Sequence, residues 1–177
     1  MNYTRISLVA HLKSLGHPIN QFMIIGVRSK ADIPNEFDDK IYLITKSEMF
    51  GFTGTTNPGT NWLQNYMNPK GTAVLKPGMY WYKLGTHKGY EALNQAGPVT
   101  VYRDKNKDLK SDVTKDEDTG YFGIDIHRAN ETAVSKFVGL WSAGCCVLNN
   151  PADFKLLISE CKASGLKEFP YYLINEY

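Results

Sequence analysis

The sequence predicts one mainly β domain, its sheet closed or sandwiched around an apolar core, with flanking helices at its two ends. Three observations predict it. The 177 residues, 42% of them hydrophobic and 21% charged, suffice for one core and contain no repeat or linker at which to divide it. Between residues 20 and 127, short apolar runs rich in Ile, Val, Tyr and Trp alternate with turns rich in Gly, Pro, Asn and Asp, the pattern of strands. Helical spacing of apolar side chains marks one segment before that region and one after it.

Taken in order, residues 4–15 place Ile6, Leu8, Val9, Leu12 and Leu15 at helical spacing, and Gly16 with Pro18 ends the run, so residues 1–20 form a short helical segment. The runs "QFMIIGVRS", "KIYLIT", "MYWYKLG", "GPVTVYRD" and "YFGIDIH" follow as strands. In the last of them, alternation sets Phe122, Ile124 and Ile126 on one face and Tyr121, Gly123, Asp125 and His127 on the other. "NPADFKLLISECKASG" opens on Asn-Pro and spaces Phe154, Leu157, Ile158 and Cys161 at i, i+3, i+4 and i+7, a second helix. "FPYYLINEY" reads as a final strand.

Charge and hydropathy exclude several function classes. A net charge of +2, with lysines scattered among acids, gives no nucleic-acid footprint. No run approaches the roughly 20 apolar residues of a membrane helix. The N-terminal "ISLVA" is interrupted by His11 and Lys13 before any cleavage site, so no signal peptide is expected and the chain is expected to be made in the cytoplasm.

The chemistry gathers at "GLWSAGCCVLNN", where Cys145 and Cys146 stand side by side and only Cys161 lies elsewhere. A vicinal pair bridges only through a strained ring, and an odd count leaves at least one free thiol. Free cysteines commonly serve as small buried hydrophobes. A catalytic one needs a base within hydrogen-bond reach, or a helix N-terminus, to become a thiolate. His127 ends its strand, fourteen residues separate it from Ser142, and Ser142-Ala143-Gly144-Cys145 follows.

A histidine, fourteen to seventeen residues, Ser or Thr, one residue, Gly and Cys resembles the signature of the L,D-transpeptidase catalytic domain, which acts on peptidoglycan stem peptides. "VLKPGMYWY" is similar to that family's strand of proline, glycine and aromatics, and the order of strands, histidine, cysteine turn and helix is the same. The likeness covers about residues 40–165, with the span from His127 to Cys145 the specific part. It implies a sheet of the L,D-transpeptidase catalytic type, Cys145 as nucleophile, His127 as base and the carbonyl of Arg128 as the group orienting the histidine. Cys146 takes a position the family fills with an apolar residue. Two departures bear on the substrate pocket: the family often has a histidine where Ala143 stands, and Arg or Asn where Val147 stands.

Physically, Gly144 permits a sharp turn in which amides near Ala143, Gly144 and Cys145 face a developing oxyanion, with Ser142 fixing the turn. The Arg128 guanidinium either holds a stem-peptide carboxylate or is a rim arginine that neutralises Asp125 or Asp118. Asp125 is expected to support rather than to complete a triad. His87, between glycines, reads as solvated, with substrate contact the alternative. Residues 53–62, "TGTTNPGTNW", read as a turn, or as a sugar or peptide cradle ending in Trp62. Tyr80, Trp81, Tyr82 and Trp141 suit a carbohydrate-adjacent cleft and a β core equally.

Asp104, Asn106, Asp108 and Asp112 have part of a calcium-loop spacing, but Leu109 and Lys115 replace its glycine and glutamate, so a solvated turn is expected and no metal or cofactor is implied. The expected function is cysteine-dependent acyl transfer on peptidoglycan stem peptides, by hydrolysis (L,D-carboxypeptidase or endopeptidase) or by L,D-transpeptidation. Without an export signal, action on the wall after lysis or by phage delivery is the expectation. The alternative is a non-catalytic wall-binding or virion structural module that keeps the fold.

Overall fold

A computed structural model describes residues 2–177. Its strands are β1 (Met23–Arg28), β2 (Asp39–Ile44), β3 (Met49–Thr55), β4 (Thr72–Leu75), β5 (Gly78–His87), β6 (Tyr90–Gln95), β7 (Val99–Asp104), β8 (Glu117–Gly120), β9 (Ile126–Arg128), β10 (Cys146–Leu148) and β11 (Phe169–Asn175). The helices are α1 (Arg5–Ser14), α2 (Thr60–Gln64) and α3 (Pro151–Ala163). Eight strands close into a barrel in the order β1-β11-β5-β6-β9-β10-β3-β2, and β4, β7 and β8 form a separate sheet. The fold is mainly β with a few short helices in one small domain, and of the two expected forms of the sheet it takes the closed one.

Closure leaves the strands two faces to bury. Ile24 of β1, Leu43 of β2, Tyr82 of β5, Tyr171 of β11 and Cys146 of β10 share the interior core, joined by Ala73, Leu75, Val99 and Val101 from the three-stranded sheet. Met23, Ile25 and Val27 face outward into a second core under Leu8 and Leu12 of α1. Burial on both faces is why "FMIIGV" and "YYLI" are unbroken apolar runs.

The predicted α1 forms with Thr4 as its N-cap in a reciprocal capping box with Ser7. Its apolar face is narrower than the spacing implies, since Ile6 is 82% exposed. The helix lies on the outside of a barrel and covers it with one stripe.

A larger difference concerns residues 121–127. Only Ile126 and His127 of that run are in β9, and residues 121–125 are irregular. Gly123 has φ +68, which breaks the extended chain, and the Phe122 and Ile124 amides both donate to Gln95 Oε1 instead of to a ladder. The stretch 53–62 is likewise more than a turn: it closes β3 and opens α2.

Helix α3 buries Phe154, Leu157, Ile158 and Cys161 in the interior core, as its spacing predicts. Leu157→Ala is therefore expected to lower the unfolding free energy by about 2–5 kcal/mol in a urea titration, the cost of a core cavity. Leu156→Ala, one residue away and 36% exposed, is expected to change it by less than about 1 kcal/mol. No helix among the described residues is long and apolar enough to cross a membrane.

Candidate active site

The cysteine turn is built from Gly144 and Ser142. Gly144 has φ +126, and a Cβ there would meet the Ala73 carbonyl oxygen at 2.5 Å, so both conformation and space require glycine. The Ser142 hydroxyl donates to the Cys145 carbonyl at 2.7 Å and accepts from the Gly144 amide at 3.2 Å. The Ser142 carbonyl accepts from the Gly59 amide at 2.8 Å, which ties the turn to the start of α2. Ser142 thus fixes the turn, but it also takes the Gly144 N–H away from any oxyanion, leaving the amides of Ala143 and Cys145 as the donors available for one.

Parallel pairing of β10 with β9 sets Cys146 opposite Ile126 and Val147 opposite His127. That register carries Cys145 to the irregular residues before β9. Its Sγ accepts from the Asp125 amide at 3.4 Å and donates to the Gly123 carbonyl at 3.3 Å. Burial pushes the thiol up to about 12.

His127 is 1% exposed. Its Nδ1 lies 2.8 Å from the Arg128 carbonyl oxygen and 3.1 Å from the Tyr90 hydroxyl. A carbonyl only accepts, so Nδ1 carries the proton and Nε2 the lone pair. Nε2 is buried with no hydrogen-bond partner among the described residues. Burial pulls the histidine down to about 3, the largest influence on it. The resting site is accordingly a neutral thiol beside a neutral imidazole, with a ring nitrogen of His127 within 4.8 Å of the Cys145 sulfur.

Two further groups belong here. His87, at the end of β5, is stacked on His127 with ring centroids 4.1 Å apart and planes 9° apart. Its Nδ1 is 2.9 Å from Asp125 Oδ2. His87 is therefore not the solvated loop histidine of the sequence-based expectation. Nothing in the sequence joins it to Asp125, since 38 positions separate them.

The thiol opens on a cleft of about 520 Å³ between the barrel and the three-stranded sheet. Its walls include Ala73, Lys88, Phe122, Ala143 and the two tryptophans Trp62 and Trp141. Its guanidinium-bearing residue is Arg103, which reaches Asp118 at 3.1 Å and lies 4.5 Å over the Phe122 ring. Sequence inspection passes Arg103 over because its ion pair spans two strands.

The side chain of Arg128 points elsewhere. It lies 4.2 Å over the Tyr90 ring and 3.5 Å from Glu131, on a separate groove, so Arg128 touches the site through its carbonyl alone. It neutralises neither Asp125 nor Asp118. Val147 is fully buried with Phe37, Ala129 and Val138. Cys146 faces the barrel interior, where its sulfur accepts from the Tyr171 hydroxyl at 3.4 Å.

Of the aromatic group, Tyr80 and Tyr82 are core, Trp81 lines a different groove and Trp141 lines the cleft. In the acidic loop, Asn106 Nδ2 donates to Asp108 and Asp112, and Asp104 accepts from the Asn106 and Asp112 amides, so the cluster closes on itself. No protein-family model matches the chain, and no curated protein matches it either.

Proposed function

We propose that this protein is a cysteine acyl-transfer enzyme of the L,D-transpeptidase kind, acting on peptidoglycan stem peptides, with its closed barrel as the catalytic sheet. The observation that carries the proposal is a cleft-lining thiol within 4.8 Å of a ring nitrogen of a histidine whose tautomer a backbone carbonyl sets. The likeness around residues 127–145 supports the substrate class.

Because thiol and imidazole are both neutral at rest, the Cys145 proton passes to His127 Nε2 as the sulfur attacks the carbonyl next to a D-configured centre. The oxyanion is held by the Ala143 and Cys145 amides. His127 then returns the proton to the leaving amine, and a thioester on Cys145 remains. Attack of water on that thioester releases the acyl group and regenerates the thiol, so hydrolysis, as an L,D-carboxypeptidase or endopeptidase, is the expected outcome.

Incubation with peptidoglycan and with defined tetrapeptide and pentapeptide stems tests this by mass spectrometry. Released fragments or a freed terminal D-residue are expected. Efficient incorporation of an added D-amino acid would make the enzyme a transpeptidase instead.

One observation favours a non-catalytic wall-binding or virion module: the thiol donates to the Gly123 carbonyl and not to His127. Iodoacetamide separates the two, since in an enzyme His127 takes the thiol proton and Cys145 is expected to be labelled faster than in His127→Gln. A module that only binds has no reason to show that difference.

A further inference from the structure

Acyl transfer uses Cys145 and His127 and leaves His87 and Asp125 without a task. Yet these two are arranged with care. The Asp125 carboxylate only accepts, so His87 Nδ1 donates to it at 2.9 Å and the free lone pair of His87 is on Nε2. His127 repeats the arrangement with the Arg128 carbonyl as acceptor. Two imidazoles, each oriented through Nδ1 by an oxygen, are what histidine ligands of a metal ion show, because the outer acceptor fixes the ring and raises its basicity.

The third donor is the cysteine. His87, His127 and Cys145 each place one ligating atom within 4.8 Å of the other two. Around a tetrahedral ion with bonds of about 2.0–2.3 Å, such atoms stand roughly 3.3–3.6 Å apart, so closing the triangle takes side-chain adjustments on the order of 1 Å. The rings are stacked with planes 9° apart, so binding also requires them to tilt until their in-plane lone pairs converge, and His127 Nε2 is buried with nothing else to bond.

We propose that His87, His127 and Cys145 form a three-ligand site for a borderline-soft divalent ion of the zinc class, with its fourth position open to the cleft. Two nitrogens and one thiolate are the donors such ions favour over calcium or magnesium. Binding replaces the S–H proton by an S–metal bond and releases that proton to solvent. No electron moves. The dication, the thiolate and the Asp125 carboxylate then sum to zero charge in a half-closed pocket. While the ion is bound the sulfur is a ligand and not a nucleophile, so the site doubles as a reversible lock on the thiol. The proposal does not rest on acyl transfer.

The test uses the full chain in reduced form, with Zn²⁺ followed by calorimetry and Co²⁺ by absorption. One ion per chain is expected, with a thiolate-to-cobalt charge-transfer band in the near ultraviolet and the visible bands of tetrahedral cobalt. Cys145→Ser is expected to abolish the charge-transfer band, while Cys161→Ala keeps it. His87→Gln and Asp125→Asn are each expected to weaken Zn²⁺ binding by about 10–100-fold. Zn²⁺ is expected to raise the thermal midpoint of the parent protein far more than that of His87→Gln, which confirms that the variant is folded and has lost the ion.

A charge-transfer band that survives Cys145→Ser, an undiminished affinity in His87→Gln, or no thiolate-to-cobalt band in folded parent protein would each overturn the site. Metal binding without any peptidase activity would remove the acyl-transfer proposal and leave this one standing.

Discussion

Cys145→Ala is expected to eliminate turnover, by at least about 10³-fold, and with it any covalent adduct on the protein. Intact-mass spectrometry after mixing with a stem peptide reads the adduct directly. The neighbouring change separates nucleophile from filler: Cys146→Val keeps activity within a few-fold, because Cys146 faces the barrel core and not the cleft. It costs stability instead, about 1–3 kcal/mol, since valine is larger than cysteine in a filled interior and ends the contact from the Tyr171 hydroxyl. An inactive Cys146→Val that folds, beside an active Cys145→Ala, would show that the wrong sulfur has been assigned.

His127→Gln is expected to slow acylation by about 10²–10⁴-fold, the scale on which a general base contributes. Glutamine keeps an N–H for the Arg128 carbonyl but offers no basic nitrogen to the thiol, so the fold should survive with a loss of about 1–2 kcal/mol. Single-turnover kinetics and thermal unfolding on the same preparation decide it. Wild-type acylation in the variant would leave His127 without a catalytic task, and gross unfolding would make it a structural histidine.

What was legible in the sequence follows from where the physical signal is local. Helix α3 reads directly, since Asn150 caps its first turn and its buried residues recur at 3.6-residue spacing within thirteen residues. Strands β1, β2 and β11 read because two cores bury both their faces. By contrast, β9 and β10 span three residues each, too few to show a period, although between them they set the register of the site. The run 121–127 misleads for a related reason. Its alternation is real, but one glycine at φ +68 turns it into a cradle for the thiol.

The sequence by itself singled out Cys145 and His127 as candidate nucleophile and base, and it determined the turn before Cys145, because Gly144 and Ser142 act within three positions of it. It also determined the mainly β class, through β-branched and aromatic runs divided by turns. Only the tertiary structure decided that the sheet closes, since closure rests on the parallel pairing of β1 with β11 across the whole chain. Only the tertiary structure brought His87 onto His127 and Asp125, and put the guanidinium of Arg103 rather than that of Arg128 in the cleft. Those partners lie on different strands, and their proximity comes from barrel register, which the spacing of residues along one chain does not encode.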